Sequence, residues 1–176
     1  MAAIQLLALG NVEGSLLSSL RQGLESELDV SCAILPERFD PEFAFHAERA
    51  QYHATEILHR LQARFHAGGQ QVLGVTGVDL YIPILTFVFG EALVHNSCAV
   101  VSFHRLRQQF YGLPADSALL DQRLLKETMH ELGHGLGLMH CEDYRCAMAP
   151  SHAVEWIDLK GSALCDGCRA RIPTLR

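Results

Sequence analysis

The sequence contains few charged residues and no cluster of basic ones. Charged residues make up 19% of the 176-residue chain, and the formal net charge is −6. Because nucleic-acid binding requires a basic face, this balance argues against a nucleic-acid partner. Hydrophobic residues make up 49%, which is typical of a globular protein rather than a disordered chain.

Long apolar runs are also missing. The run at 80–89 is interrupted by Pro83 and Thr86, and it is too short to span a bilayer. The N-terminus reads MAAIQLLALG, without the basic start of a secretory signal. We therefore expect no membrane association and a cytoplasmic location, and we interpret Ile4–Leu9 as a buried strand.

The first two-thirds of the chain alternates between strand-like and helical patterns. Leu16, Leu20 and Leu24 belong to the apolar stripe of a helix near 15–28. A second helix is expected in the run 45–67, and Pro36 is expected to end the second strand. Strands are predicted at 4–9, 30–35, 72–76, 86–92 and 98–106. This order predicts an α/β fold, with helices packed on a largely parallel sheet.

No repeat, low-complexity segment or linker divides the sequence. The periodicity fades after Cys146, and residues 149–176 are expected to be loops that need something other than a core to hold them. We predict one domain over 1–176. Its sheet and helices would occupy 1–137, and a loop-rich C-terminal part would occupy 138–176.

His130 and His134 occur in the pattern HExxH, as HELGH. On a helix, residues four apart lie about 40° from each other on one face, so both imidazoles can chelate one Zn²⁺. Glu131 lies about 100° round from His130, where it reaches a water on the metal rather than the metal itself. For the five-letter motif alone, two unrelated surface or core histidines are the alternative.

Gly137 and His140 extend the motif to HExxHxxGxxH. Glycine suits a left-handed turn at the end of a helix. The chain can then bend back and bring His140 to the metal as a third ligand. Three protein ligands leave one position for water, which is typical of a catalytic zinc site rather than a closed structural one.

These residues predict hydrolysis by an activated water. Zinc lowers the pKa of its water toward neutrality and polarises the scissile carbonyl. Glu131 would take the proton from this water and later pass it to the leaving amine. The sequence contains no nucleophile motif such as GxSxG.

Four of the six cysteines lie near the C-terminus, in one CxxxxC and one CxxC pattern: Cys141, Cys146, Cys165 and Cys168. This grouping is typical of a four-thiolate zinc site. Cys141 directly follows His140, and neighbouring side chains of an extended chain point opposite ways. The two residues are therefore expected to face different metals.

Two disulfides, or a redox CxxC, are the alternatives for these four cysteines. In a reducing compartment, such a cluster favours a metal site over a disulfide framework. Cys32 and Cys98 stand alone in apolar stretches and are expected to be buried, inert thiols.

The segment HELGHGLGLMHCEDYRCAM at 130–148, followed by CDGC at 165–168, resembles the archaemetzincins, a branch of the metzincin metallopeptidases. The resemblance extends to RAQY at 49–52, VLGVTGVDLY at 72–81, FVFG at 87–90 and SFHRL at 102–106. It implies a metzincin-like fold with a twisted, mostly parallel sheet of about five strands and an antiparallel edge strand. An active-site helix and a zinc-stapled C-terminal part would complete this fold.

The resemblance also implies roles for single residues. His130, His134 and His140 would bind a catalytic zinc, with Glu131 as general base and acid. Met148 would form the turn beneath this site. A second, structural zinc would be bound by the four clustered cysteines, Cys141, Cys146, Cys165 and Cys168.

The expected function is that of a zinc metallopeptidase, acting as an endopeptidase or an aminopeptidase. By the resemblance, residues 86–92 would form an edge strand that binds an extended peptide or protein substrate antiparallel to it. We expect a monomer with two Zn²⁺ ions. The alternatives are a zinc hydrolase of a non-peptide amide and a peptide-binding protein with little turnover.

Other polar residues are expected to have ordinary roles. The remaining histidines have no ligand spacing to the motif and are expected to face solvent: His46, His53, His59, His66, His95, His104 and His152. Arg123 and Glu127 lie near the chelating side of the motif helix and are expected on a solvated face. The alternative for both is a supporting or rim position at the site. Asp79 is expected in a turn, and Asp116 or Ser117 at the start of the motif helix.

Overall fold

The computed structural model describes residues 3–65 and 69–172, so His66 lies outside the described residues. The strands are β1 (Ile4–Leu9), β2 (Cys32–Phe39), β3 (Phe45–His46), β4 (Gln51–His53), β5 (Gln71–Thr76), β6 (Leu80–Tyr81), β7 (Gly90–Ala92) and β8 (Cys98–Ser102). The helices are α1 (Gly14–Leu28), α2 (Ala54–Phe65), α3 (Ser117–Gly135), α4 (Val154–Leu159) and α5 (Asp166–Arg169). Across these two ranges, no helix combines the length and the apolar character that a membrane span requires.

Five strands form the main sheet, in the order β2-β1-β5-β8-β7. The first four run parallel, and β7 pairs antiparallel with β8 at one edge. The prediction of a mostly parallel sheet with an antiparallel edge strand is confirmed. Strands β1, β5 and β8 are almost wholly buried, because helices cover both faces of a parallel sheet.

Alternate side chains of the central strands pack into two apolar layers. Leu6 of β1 lies in the layer that contains Leu20 of α1 and Leu132 of α3. Its neighbour Leu7 lies in the opposite layer, with Leu61 of α2. Successive side chains on a strand point to opposite faces, so one strand serves both layers. Full burial of each leucine contributes about 1.5–3 kcal/mol, and this packing holds α3 on the sheet.

The prediction that Pro36 ends the second strand is wrong, because β2 continues through it to Phe39. β2 lies at the edge of the sheet and pairs with β1. The pairing slips between Leu6 opposite Ile34 and Ala8 opposite Arg38, so Pro36 lies in a bulge. An edge strand with a bulge tolerates proline, because the missing N–H has no ladder partner to bind there.

The prediction of a helix in the run 45–67 is wrong for the first half of that run. Residues 45–53 form β3, a turn and β4, and the helix begins at Ala54. Tyr52 of β4 pairs with Leu80 of β6, and Ala50 adopts a left-handed φ of 51°. Pairing with a strand distant in sequence overrides the local helical spacing, which carries no information about that partner.

A polar network joins the small sheet β3-β4-β6 to the segment before β7. Gln51 Nε2 donates to the Thr86 carbonyl and to Asp79 Oδ2, both at 3.0 Å. Arg49 Nη2 donates to the same Thr86 carbonyl at 3.1 Å. Asp79 also accepts two bonds from the Arg105 guanidinium, each at 2.7 Å. Asp79 therefore anchors this network, beyond the turn role expected from the sequence.

Two predicted strands are shorter in the structure. Of the segment 86–92, only Gly90–Ala92 pairs with β8, while Val88 forms an isolated bridge with Leu80. The strand predicted at 98–106 ends at Ser102, whose hydroxyl donates to the Val78 carbonyl at 2.6 Å. In the segment before β7, the Val88 N–H donates to the Leu80 carbonyl at 2.9 Å instead of pairing with β8.

The C-terminal part contains two short helices, α4 and α5, where only loops were expected. It also contributes to the main core, since Ile157 and Leu164 pack in the same layer as Leu132. Outside α4 and α5, the segment after α3 consists mainly of turns and irregular chain. Apolar burial therefore holds part of this segment in place.

Asp79→Asn is expected to lower the free energy of unfolding by about 1.5–3 kcal/mol, because it weakens the two charged hydrogen bonds from Arg105. Urea unfolding at pH 7 measures this loss. Glu56→Gln is the control, because the Glu56–His46 pair is exposed at 44% and 43% and should contribute less than about 0.5 kcal/mol. Equal losses for the two variants would contradict the anchoring role of Asp79.

Candidate active site and metal centres

Helix α3 carries the histidine motif and is capped at both ends. At its start, the Asp116 carboxylate accepts a bond from a backbone N–H of the first turn at 2.9 Å. At its end, Gly137 N–H donates to the His134 carbonyl at 2.9 Å and Leu138 N–H to the Gly133 carbonyl at 2.8 Å. This pair of bonds is a Schellman motif, and the left-handed φ of 96° at Gly137 permits it. The chain reverses direction at this point.

Gly137 also lies against the His95 ring. A Cβ atom built on Gly137 would overlap that ring. The His95 backbone N–H in turn approaches the His134 carbonyl at 3.4 Å. The backbone angle at 137 therefore favours glycine, and the exposed His95 ring lies directly against it.

The reversal brings His140 back to His130 and His134. One ring nitrogen of each histidine lies within 4.8 Å of the others, and the Nε2 atoms of His130 and His134 are 3.1 Å apart. Zn–N bonds of about 2.0–2.1 Å in a tetrahedral site place two nitrogens about 3.3 Å apart. The three side chains therefore fit a zinc ion.

Hydrogen bonds select the tautomer of two of these histidines. His130 Nδ1 donates to the Ala147 carbonyl at 2.9 Å, and His134 Nδ1 donates to the Leu138 carbonyl at 2.8 Å. Both Nε2 atoms then keep a free lone pair for a metal. Burial lowers the pKa of His130 to about 3, and burial also lowers the pKa of His134. Both rings are therefore neutral at pH 7, which is the form that binds metals.

Glu131 lies beside the histidines and is only 6% exposed. A Cβ atom on Gly90 of β7 would lie 2.7 Å from Glu131 Cγ, so the edge strand directly contacts this side chain. Burial first, and then the nearby charge of Glu127, raise the pKa of Glu131 well above its usual value. A raised pKa brings a carboxylate closer to the range that suits a general base.

An open cleft of about 450 Å³ lies in front of these residues. One wall is the segment 85–92, which ends in β7. The opposite side contains the three histidines and the segment 150–152. His152 is exposed, as expected, and it also lines this cleft. The polar residues converge on one point beside β7, the last strand of the main sheet in the described part of the chain.

Met148 packs against helix α3, which carries His130 and His134, and is fully buried. A Cβ atom on Gly133 would overlap Met148 Sδ, so helix α3 and the methionine are in close contact. The Met148 carbonyl accepts a bond from the Cys141 N–H at 3.0 Å. The segment around Met148 is thus bound both to the helix and to the chain that returns from Gly137.

The four clustered cysteines meet in space as a second group. Their sulfur atoms all lie within 4.8 Å of one another, and the Sγ atoms of Cys141 and Cys165 are 3.8 Å apart. A tetrahedral zinc with Zn–S bonds of about 2.3 Å separates its sulfurs by about 3.8 Å. The group therefore fits a zinc ion bound by Cys141, Cys146, Cys165 and Cys168.

Backbone N–H groups point at these sulfurs. Cys146 Sγ accepts from Met148 N–H at 3.4 Å and from Cys165 N–H at 3.3 Å. The Cys168 backbone N–H makes the largest contribution to lowering the pKa of Cys165, whereas burial raises the pKa of Cys141 and of Cys168. Donors around a thiol favour its thiolate, the form that binds metal.

The two groups meet at a single peptide bond. His140 joins the histidine group, and Cys141, the next residue, joins the cysteine group. This is the arrangement that the alternation of side chains in an extended chain predicts. The position of one group therefore constrains the position of the other.

The prediction that Arg123 and Glu127 are solvated is wrong, because they are 4% and 3% exposed. Arg123 pairs with Asp158 at 2.7 Å, and Glu127 pairs with Lys160 at 2.8 Å. Glu127 lies one turn before Glu131 on α3, so helical spacing alone was a signal for its place near the cleft. No sequence pattern indicated Lys160, since its partner is 33 positions away in the chain.

Known proteins with similar sequences carry the same kind of assignment, that of a peptidase. The profile of peptidase family M54 matches residues 35–174. An archaemetzincin from Methanocaldococcus jannaschii is 40% identical over 163 residues, covering 93% of this chain and 88% of that protein. An archaemetzincin from Saccharolobus solfataricus is 34% identical over 173 residues, covering 98% and 93% of the two chains.

Two crystal structures share the fold over nearly the whole chain. A zinc-dependent peptidase from Methanocorpusculum labreanum has a TM-score of 0.88 at 29% identity and covers 97% of this chain and 100% of its own. Archaemetzincin from Archaeoglobus fulgidus has a TM-score of 0.82 at 35% identity and covers 96% of this chain and 99% of its own.

The fold, the histidine group beside a buried glutamate and these similarities define the class of this protein, which is a metallopeptidase. The chain belongs to peptidase family M54, and its relatives there are the archaemetzincins. The resemblance found in the sequence is thereby confirmed for the family, the fold and the activity.

Gly133→Ala is expected to lower the free energy of unfolding by about 1–3 kcal/mol, because the added methyl group would overlap Met148 Sδ. Thermal unfolding followed by circular dichroism measures the loss. Gly14→Ala is the matched control, because nothing lies within 4 Å of a Cβ atom there. A Gly133→Ala protein as stable as its parent would show that helix and methionine are not in close contact.

Proposed function

We propose that the chain hydrolyses peptide bonds, with a zinc ion bound by His130, His134 and His140 and with Glu131 as the catalytic residue. One observation carries this proposal: a buried carboxylate lies beside three imidazoles that converge on one point in an open cleft. The two Nδ1 hydrogen bonds support it further, because they leave Nε2 free for a metal.

A zinc ion with three protein ligands supplies Lewis-acid chemistry, since it lowers the pKa of a water and polarises the substrate carbonyl. Glu131 accepts the proton of the attacking water. It then delivers that proton to the leaving amine, so that one carboxylate acts as base and then as acid. Burial raises the pKa of Glu131, and the raised pKa favours uptake of the proton from water.

The edge strand β7 is proposed to bind the substrate. Its one described ladder is with β8, so the opposite side faces the cleft. An extended peptide can add there antiparallel, through main-chain hydrogen bonds. Gly90 supports this role, because its lack of a side chain lets the strand lie directly against Glu131.

The four cysteines are proposed to bind a second, structural zinc. Four protein ligands close the coordination sphere, so this metal would have no catalytic position. Its role would be to fix Cys141 next to His140, and thereby to hold the third histidine ligand in place. The distance of 3.8 Å between Cys141 and Cys165 sulfurs supports this assignment.

We propose that residues 1–176 act as one domain. The core layer that contains Leu132 of α3 also contains Ile157 and Leu164 of the C-terminal part. The division at 137 and 138 then separates two parts of one folding unit.

Glu131→Gln is expected to reduce kcat for peptide hydrolysis by roughly 10²–10⁴-fold, because the amide cannot take up the proton of water. Peptide-library cleavage followed by mass spectrometry measures this loss. Zinc content should be unchanged, since Glu131 is not proposed as a ligand. The control is Glu155→Gln, an exposed glutamate on α4, which should cleave as the parent does.

Equal cleavage by the parent and by Glu131→Gln would overturn the proposed mechanism. A parent protein that binds zinc and peptides but cleaves no library member would instead support a peptide-binding role. These two outcomes are distinguished in the same assay, because peptide binding is measured on the same preparations.

Metal analysis is expected to give two zinc ions per chain. Cys165→Ser should lose one of them and increase hydrogen exchange in the segment 141–168, because a structural zinc contributes directly to folding. His134→Ala should lose the other and keep that segment protected. A parent protein with a single zinc that survives in Cys165→Ser would contradict the two-site proposal.

A further inference from the structure

A buried ammonium group lies behind the histidine site. The Lys160 side chain is only 1% exposed, although lysine is among the residues least often buried. Its Nζ atom contacts Glu127 Oε1 at 2.8 Å, the Ala149 carbonyl at 3.1 Å and the Ala147 carbonyl at 3.2 Å. The two carbonyl contacts are hydrogen bonds, and the contact with Glu127 is an ion pair.

One of these acceptors is shared with the histidine site. The Ala147 carbonyl also accepts the Nδ1–H of His130 at 2.9 Å. A carbonyl oxygen has two lone pairs, and here one binds Lys160 and the other binds His130. The position of the Ala147 oxygen therefore decides both the tautomer of the histidine and the direction of its Nε2 lone pair.

Lys160 fixes the segment around Met148 from one side. Two backbone bonds run alongside it, from Gly161 N–H to the Arg145 carbonyl at 2.8 Å and from Ala147 N–H to the Ala163 carbonyl at 3.0 Å. These bonds hold the segment in register with the chain after α4. The Lys160 ammonium donates hydrogen bonds to the Ala147 and Ala149 carbonyl oxygens, which these two backbone bonds do not reach.

Glu127 holds the ammonium from the opposite side. Its side chain is 4% exposed and lies on α3, three residues before His130. A buried ion pair contributes little net stability compared with an apolar pair of the same size, because both charges lose their hydration. Stability alone therefore does not explain the pair, whereas an apolar pair would leave the Ala149 carbonyl without a donor.

We propose that Lys160, held by Glu127, is a positioning residue for the metal ligand His130. It fixes the Ala147 carbonyl, and this carbonyl in turn keeps His130 in the Nδ1–H tautomer with Nε2 directed at the metal. The inference rests on the proposed function for its effect on catalysis. Its effect on the histidine ring is independent of any activity.

The test compares the parent with Lys160→Met and with Glu127→Leu/Lys160→Met. The double variant removes both buried charges, so its fold should survive even where the single variant is unstable. We expect kcat and zinc affinity to fall by about 10- to 100-fold in both, with KM changed by less than about threefold. In the metal-free proteins, ¹⁵N NMR of His130 should change from one tautomer to a mixture.

The control is Arg123→Met/Asp158→Asn, which removes the ion pair between buried Arg123 of α3 and the more exposed Asp158 of α4. This pair makes no contact with the Ala147 carbonyl, since Arg123 donates to Asp158 and to the Leu106 carbonyl. The control should lose stability but keep the parent kcat, zinc affinity and single His130 tautomer.

The proposal is overturned if the folded double variant keeps the parent zinc affinity and a single His130 tautomer. Lys160 would then serve stability alone. Failure of the proposed function gives a different result, in which the parent itself does not cleave peptides. In that case the zinc affinity and the ¹⁵N signal still decide the role of Lys160.

Discussion

The left-handed turn at Gly137 is the constraint on which both candidate metal centres depend. Helix α3 presents His130 and His134 on one face, but a third ligand must come from outside the helix. The Schellman bonds at 133–138 reverse the chain within one turn, and the left-handed φ of 96° at 137 favours glycine there. His140 can meet the other two histidines because of this reversal. The position of Cys141 follows from it, since adjacent side chains diverge.

The segment around Met148 is the second support of the site, and it is held from three sides. Helix α3 contacts it at Gly133, the cysteine group binds it at Cys146, and Lys160 donates to it from behind. Each contact acts on the carbonyl of Ala147 or on its neighbours, and this carbonyl orients His130. Hydrogen bonds therefore act together with the apolar contacts of Ile157 and Leu164 to hold this C-terminal part against α3.

Much of the fold could be predicted from apolar periodicity, and the errors have a common cause. Strands β1 and β5 and helix α1 occur where the pattern placed them, because their apolar spacing reflects their burial in the core. The run 45–53 was predicted to be helical but forms β3 and β4, and β2 continues past Pro36. In both cases a partner distant in sequence decided the local conformation, through pairing with β6 and through a bulge opposite β1. Local spacing carries no information about such partners.

The sequence by itself determined the chemistry of the candidate site, because ligand spacing on a helix is a local property. HExxH places two imidazoles on one face, and glycine at 137 followed by His140 requires a reversal there. Only the tertiary structure decided what surrounds them: the edge strand against Glu131, the Ala147 oxygen at His130, and the buried pair of Glu127 with Lys160. These contacts join residues far apart in the chain, and burial of a charge depends on all the elements packed around it.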